Sequence, residues 1–317
     1  MSPRPKSGHS PATSAADSSP DSAAISDARS APRSRRWLLG AVPAACAGLA
    51  LGPLALSAGA SPDTARQQGA GGKDAAAKGV SVTDFDGATE AITDVGASWY
   101  YTWAASTGGT AKPGDCEFVP MIWGADKVTD EELGTAKKEG KQLLGFNEPD
   151  LPSQANMSVE DALGLWPRLQ DTGLRMGAPA VASQADRKGS WLDRFLSGAA
   201  DRGYRIDFIP LHWYGADFGS GAAGQLESYL KAVHDRYRKP VWLTEYALID
   251  FSGDQPRYPS EQQQVDFVRA AGKMLRGLDF VERYAWFTLS KKASPTGLYD
   301  GNQRNATGTA YRDEGAD

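Results

Sequence analysis

Histidine and cysteine are scarce in this chain, with three and two residues among 317. No group of His, Cys, Asp and Glu shows metal-ligand spacing, so neither a metal nor a cofactor is expected. Cys46 lies in an N-terminal apolar run. Cys116 stands alone beyond it, so no intrachain disulfide can form once that run is removed, and a lone cysteine reads as a small buried hydrophobe. No G-x-G-x-x-G or Walker loop follows any apolar run, which weakens the case for a doubly wound, nucleotide-binding sheet. An excess of basic residues is missing as well. The formal charge of −5 argues against a nucleic-acid partner and is compatible with a neutral polymer as substrate.

What is present falls into unlike parts. Residues 1–36 are rich in Ser, Ala, Pro and Arg without periodicity. Arg35-Arg36 then precedes an apolar stretch from Trp37 to Leu56, and Ala58-Gly59-Ala60 fits a small-residue cleavage site. A basic segment, an apolar segment and a small-residue exit are the layout of an export signal over 1–60, and the paired arginines resemble the twin-arginine type. The alternative is a membrane anchor through residues 37–56, which is close to spanning length. Residues 61–77 read as a flexible linker. The extracellular space is the expected location.

From residue 78 the pattern changes to apolar runs alternating with amphipathic segments. Val80–Val82, Ser98–Trp103, Phe118–Trp123, Gln142–Asn147, Arg175–Ala178, Ile206–Tyr214, Val241–Glu245 and Tyr284–Leu289 read as strands, several apolar enough to be buried on both faces. Helical spacing joins Leu226, Tyr229, Leu230, Val233 and Tyr237, and again Phe267, Ala271, Met274, Leu275 and Leu278. Ser260 with Gln263 forms a capping box, and Ser158 with Asp161 is a similar start signal. Pro167 is expected to kink the helix that follows Ser158. Repeated strand–helix units imply a parallel sheet covered by helices. We expect an α/β fold, a single (β/α)8 TIM barrel over 78–312, with a short tail at 313–317 and a doubly wound open sheet as the alternative.

Two carboxylates stand out. Glu148 ends the run Leu144-Gly145-Phe146-Asn147, and Glu245 ends Val241-Trp242-Leu243-Thr244. Strand tips are where barrel enzymes carry their chemistry. Pro149 gives no N–H to a ladder and should hold Glu148 extended, ending its strand. Alternation places Leu144, Phe146 and Glu148 on one face, and Val241, Leu243 and Glu245 on another. If both faces point inward, the carboxylates converge. Cleaving a glycosidic bond needs such a pair, one protonating the leaving oxygen and one facing the oxocarbenium-like centre. His212 and Tyr214 share a face at the end of Ile206–Leu211. The tyrosine is placed to orient the nucleophile, and the histidine to bind a sugar hydroxyl. Trp213 adjoins them. Trp286 is a candidate subsite floor, and Tyr101, Trp103 and Trp123 lie near the tips of early strands.

Val119-Pro120-Met121-Ile122-Trp123-Gly124, Leu143 through Leu151, Asp207 through Gly215, Trp242 through Ala247 and Val281 through Phe287, taken in order, resemble glycoside hydrolase family 128 from about residue 79 to 312. The resemblance implies a (β/α)8 barrel and retaining endo-hydrolysis of β-1,3-glucan, with the acid/base on the fourth strand and the nucleophile on the seventh. It implies Glu148 as acid/base, Glu245 as nucleophile, Asn147 as the residue holding the sugar 2-hydroxyl, and Tyr214 beside the nucleophile. The partner is then a polysaccharide; the protein is expected to be monomeric and free of the membrane after signal cleavage. Two alternatives stay open: a retaining glycanase acting on mannan, xylan or β-1,4-glucan, and a non-catalytic glucan-binding wall protein.

Overall fold

The computed structural model describes residues 75–314. The expected export signal and almost all of the expected linker lie outside the described residues. Ala77, the last linker position, already belongs to the first strand.

Eight strands run in chain order: β1 (Ala77–Ser81), β2 (Trp99–Tyr101), β3 (Glu117–Phe118), β4 (Gln142–Leu143), β5 (Arg175–Met176), β6 (Ile209–Gly215), β7 (Val241–Leu248) and β8 (Val281–Trp286). Helices separate most of them: α1 (Ala88–Asp94) follows β1, α2 (Asp130–Glu139) follows β3, α3 (Val159–Gln170) follows β4, α4 (Trp191–Asp201) follows β5, α5 (Ala222–Tyr237) follows β6 and α6 (Glu261–Arg276) follows β7. After β8 come a small antiparallel pair, β9 (Tyr299–Asp300) and β10 (Gln303–Arg304), and α7 (Ala306–Asp313). The first eight strands pair in parallel, six in the order β3-β2-β1-β8-β7-β6 and two as β4-β5. Parallel bridges at Met121–Leu144 and Gly177–Phe208 link the two sets. The protein is thus an α/β fold around a parallel sheet.

Helix starts follow local chemistry. Ser260 Oγ accepts from the Gln263 N–H while Gln263 Oε1 accepts from the Ser260 N–H, a complete capping box. Ser158 caps α3 through the Asp161 N–H, and α3 runs unbroken past Pro167 to Gln170. Leu226, Leu230 and Val233 of α5, and Phe267, Ala271 and Leu275 of α6, are buried.

Two apolar clusters divide the sheet by face. The larger joins strand and helix residues. The smaller, Trp99, Tyr101, Val119, Met121, Leu144, Phe208, Trp242 and Ala285, contains no helix residue and fills the other face. At the strand N-termini, Arg283 lies 4.2 Å from the Trp242 ring centroid and pairs with Glu117 at 2.7 Å, while Arg175 pairs with Glu282 at 2.8 Å. The opposite, C-terminal end is where Glu148 and Glu245 lie.

Strict alternation does not describe the two strands that carry these glutamates. Leu211 pairs with Leu243 but His212 pairs with Glu245, so Thr244 is an extra residue on β7. On the other side Leu243 pairs with Tyr284 and Tyr246 with Trp286, the same surplus of one. This bulge matters because Val241 and Leu243 belong to the helix-facing cluster. An unbroken strand would send Glu245 the same way; the bulge turns it to the opposite side. Past β4 the rungs step by three on both chains, with the Gly177 N–H donating to the Leu143 carbonyl and the Ala180 N–H to the Phe146 carbonyl. Leu144 therefore lies in the helix-free cluster, whereas Phe146 packs on Trp166 of α3 with ring centroids 6.1 Å apart. The expected sharing of one face by Leu144, Phe146 and Glu148, and of another by Val241, Leu243 and Glu245, is corrected by these irregularities.

Of the expected tail at 313–317, residues 313 and 314 are described. Asp313 ends α7, and the Glu314 carboxylate accepts from the Tyr284 hydroxyl at 2.7 Å and pairs with Arg276 at 2.5 Å.

Candidate active site

Glu148 and Glu245 are 3% and 4% exposed, and both line a cleft at the C-terminal ends of the strands. Thr83, Trp103, Trp123, Asn147, Gln154, Tyr214, Phe287 and Ala293 complete its lining.

Four donors surround Glu245. Its Oε1 accepts from the Tyr101 hydroxyl at 3.0 Å and from the Trp103 indole N–H at 2.8 Å. Its Oε2 accepts from the Tyr214 hydroxyl and lies 3.4 Å from His212 Nδ1. A carboxylate ringed by donors is an oriented acceptor. Burial, followed by the charge of Glu245, pushes the Tyr101 hydroxyl well above its usual range, so it stays a donor. The same hydroxyl lies 3.1 Å from the Thr244 carbonyl, so its one proton is shared between the two acceptors, which ties the β7 bulge to β2.

Glu148 is presented differently. Pro149 was expected to hold it extended, but its φ is 42°, in the left-handed region. Its N–H donates to the Ala180 carbonyl at 2.7 Å and its carbonyl accepts from the Leu151 N–H at 3.0 Å. These bonds outweigh the local preference, and such strain concentrates at functional sites. Trp103, at φ 58°, is a second left-handed residue on the same cleft.

His212 Nδ1 lies 3.0 Å from Glu148 Oε1 as well as 3.4 Å from Glu245 Oε2. With its proton on Nδ1, the ring donates toward both carboxylates. One ligand atom from each of Glu148, His212 and Glu245 lies within 4.8 Å of the others, close enough for a metal ion. However, both oxygens of Glu245 already accept from Tyr101, Trp103 and Tyr214, which is the environment of a positioned carboxylate.

The structure gathers Glu148, Glu245, Asn147, Tyr101, Trp103, Trp123, His212 and Tyr214 in or directly beneath the cleft. Two expected residues are elsewhere. Trp213 sits between His212 and Tyr214, so alternation turns it to the helix side, where it stacks on Phe267 at 5.7 Å. Trp286 is fully buried against Tyr246 and Tyr311, and its N–H donates to the Thr296 carbonyl. It follows Ala285, which faces the helix-free cluster, and so points the other way. His212 was expected to meet a sugar hydroxyl; at 2% exposure it contacts the carboxylates instead. Thr83, Gln154, Phe287 and Ala293 were not anticipated.

Residues 79–311 match the family described as Glycosyl hydrolase catalytic core. A GH128 subgroup I endo-beta-1,3-glucanase from Amycolatopsis mediterranei, solved as a glutamate-to-alanine variant with laminaripentaose, is 62% identical, with a TM-score of 0.75 over 75% of this chain and 99% of that one. A second glutamate-to-alanine variant of that enzyme was solved with laminaritriose and laminaribiose. The two altered glutamates are as far apart along that chain as Glu148 and Glu245 are here. A GH128 subgroup II endo-beta-1,3-glucanase from Sorangium cellulosum is 27% identical, with a TM-score of 0.63 over 75% of this chain and 98% of that one. Alkali-sensitive linkage protein 1 of Schizosaccharomyces pombe is 30% identical over 208 residues, which are 63% of this chain but 36% of that protein. The chain thus spans about a third of that relative's length.

Proposed function

Since the chain belongs to glycoside hydrolase family 128, within the Glycosyl hydrolase catalytic core family, we propose that it hydrolyses β-1,3-glucan by retaining double displacement. Glu245 attacks the anomeric carbon while Glu148 protonates the departing glycosidic oxygen. Glu148 then takes a proton from water as the glycosyl–Glu245 ester is hydrolysed. One observation carries this reading: oxygens of Glu148 and Glu245 lie within 4.8 Å of each other inside one aromatic-lined cleft. Retaining pairs stand about 5–5.5 Å apart, whereas inverting pairs need about 6.5–9.5 Å to admit a water. The equal spacing of the two glutamates altered in the laminari-oligosaccharide complexes supports the same assignment.

Tyr101, Trp103 and Tyr214 orient Glu245, and His212 couples the two carboxylates. Trp103, Trp123 and Phe287 offer ring faces to sugars. Asn147 holds the 2-hydroxyl. Its side-chain oxygen is buried with no protein partner and its nitrogen donates to Gln154 at 3.4 Å, so the amide keeps acceptor capacity.

We read the eight parallel strands as a closed (β/α)8 barrel forming one catalytic domain over 78–312. The bridges Met121–Leu144 and Gly177–Phe208 support closure, because they join the six-stranded and two-stranded sheets in ring order. The N-terminal arginine-led apolar run supports export, and N-terminal sequencing of protein recovered from culture medium tests it.

Replacing Glu148 or Glu245 with Gln should lower release of oligosaccharides from a soluble β-1,3-glucan by at least ~10³-fold. Proton NMR of the first product should show the β-anomer. An α-anomer first, or unchanged activity in both variants, overturns the mechanism. Preferential cleavage of mannan, xylan or β-1,4-glucan overturns the substrate, and binding of glucan without sugar release overturns the activity.

A further inference from the structure

The chain just past β4 pairs with the chain just past β5 through three backbone or side-chain rungs. The Ala180 N–H donates to the Phe146 carbonyl at 2.9 Å, and the Glu148 N–H donates to the Ala180 carbonyl at 2.7 Å. In a parallel ladder the next rung would run from the Ala182 N–H to the Glu148 carbonyl. That carbonyl is diverted, because Glu148 turns left-handed and accepts from the Leu151 N–H instead. The Ala182 N–H donates to Asp150 Oδ1 at 2.7 Å. We infer that Asp150 is a positioning residue for the acid/base: its carboxylate occupies the rung that the Glu148 carbonyl vacates, and so holds Glu148 in the left-handed turn that aims its side chain at the cleft.

The inference rests on the assignment of Glu148 as acid/base. Asp150 is itself half-buried. Burial raises its carboxyl above the usual range, the backbone N–H of Ala182 opposes this, and the charge of Glu148 adds to it. A carboxyl group kept in such a place at that cost is tied to the backbone by geometry. Asn would supply an acceptor oxygen at the same position. Ala would remove the oxygen that accepts from the Ala182 N–H and leave the turn without its brace.

Proton donation matters in proportion to how poor the leaving group is. A brace for the acid/base should therefore be felt with a sugar leaving group and hardly at all with an activated phenol. A merely structural residue would slow both alike. For Asp150→Ala, kcat/KM on soluble β-1,3-glucan should fall about 10²-fold, while kcat/KM on 2,4-dinitrophenyl β-laminaribioside stays within about threefold. The second step still needs a general base, so kcat on the phenyl substrate should fall, and azide, a nucleophile that needs no base, should restore it. Asp150→Asn should retain most glucan activity. Asp150→Glu keeps the charge but displaces the oxygen, and should show the same split between substrates; it serves if the alanine variant does not fold. Equal losses on both substrates, or an asparagine variant no better than alanine, overturn the inference. Glu148→Gln is the control. If it shows no split, the acid/base assignment itself falls and the Asp150 role goes with it; if it shows the split and Asp150→Ala does not, only the Asp150 role falls.

Discussion

A single nitrogen, Nδ1 of His212, approaches both carboxylates of the cleft, at 3.0 Å and 3.4 Å. A group shared in this way sets the relative orientation of two side chains that must act in sequence on one anomeric centre. His212→Ala should therefore lower kcat by about 10²–10³-fold while KM changes little, and His212→Asn, whose amide nitrogen can mimic Nδ1–H, should recover part of the loss. Steady-state kinetics on soluble β-1,3-glucan separate the cases: a rise in KM at unchanged kcat would return His212 to the sugar-binding role expected from its sequence position. Much of the site was legible because polar and aromatic residues at the tips of apolar runs have few structural reasons to be there. Glu148 and Tyr214 announce themselves this way; Glu245, expected to end its strand, stands inside β7, which runs on to Leu248, and is marked instead as a carboxylate within a buried apolar run. Trp213 and Trp286 did not separate from them, because a tryptophan next to a cleft residue along a strand looks the same whichever face it takes. Thr83, Gln154 and Ala293 lie on loops beyond the strands, where no periodicity marks a lining residue.

At the scale of single elements, helix starts were legible and strand faces were not. A cap is a contact between residues three apart, so Ser260 with Gln263 carries its own evidence. The bulge at Thr244 depends on pairing with two other strands, and nothing in Val241–Glu245 alone betrays it. The same holds for the three-residue step between Leu143 and Phe146, which requires Gly145 and Gly177 to pass closely; a Cβ on Gly145 would stand 3.0 Å from the Gly177 carbonyl oxygen. The left-handed turn at Glu148 also ran against a sound local rule, because tertiary hydrogen bonds at Ala180 and Leu151 prevailed. The capping box gives an energetic prediction. Ser260→Ala removes the acceptor for the Gln263 N–H and should cost about 1 kcal/mol, whereas Ser260→Gly should cost only a few tenths. Urea unfolding measures this as a lower midpoint at unchanged slope. Glucan hydrolysis at low temperature should not change, since Ser260 does not line the cleft.

For the molecule as a whole, the succession of strands along the chain was readable from alternation, and the places of the glutamates on the fourth and seventh strands from the family resemblance, but the response of the fold to pH required coordinates. Burial pushes the Cys116 thiol up to about 12, against an ordinary 9.0. Burial likewise pushes the hydroxyls of Tyr237 and Tyr299 up to about 12, against an ordinary 10.0, with the nearby carboxylates of Asp193 and Asp94 adding to the shift. These groups sit on different sides of the fold, on the β3 approach, at the end of α5 and on β9. The sign is the same for all three. Below about pH 8 both folded and unfolded chains keep these protons, and the groups contribute no pH dependence. Between about pH 8 and pH 12 the unfolded chain releases them, the thiol first and the tyrosines about a pH unit later, while the folded chain retains them, so stability falls as pH rises through that window. Urea midpoints should be level from pH 7 to 8 and drop progressively at pH 9, 10 and 11. In the same samples Cys116 should react with a thiol reagent at pH 8 far more slowly than a free cysteine, because only about 10⁻⁴ of it is thiolate in the folded state. A Cys116→Ser variant isolates its share of the signal from Cys46. Level midpoints up to pH 11, together with native Cys116 labelling at the free-thiol rate, would show that these groups are solvated rather than held by the fold.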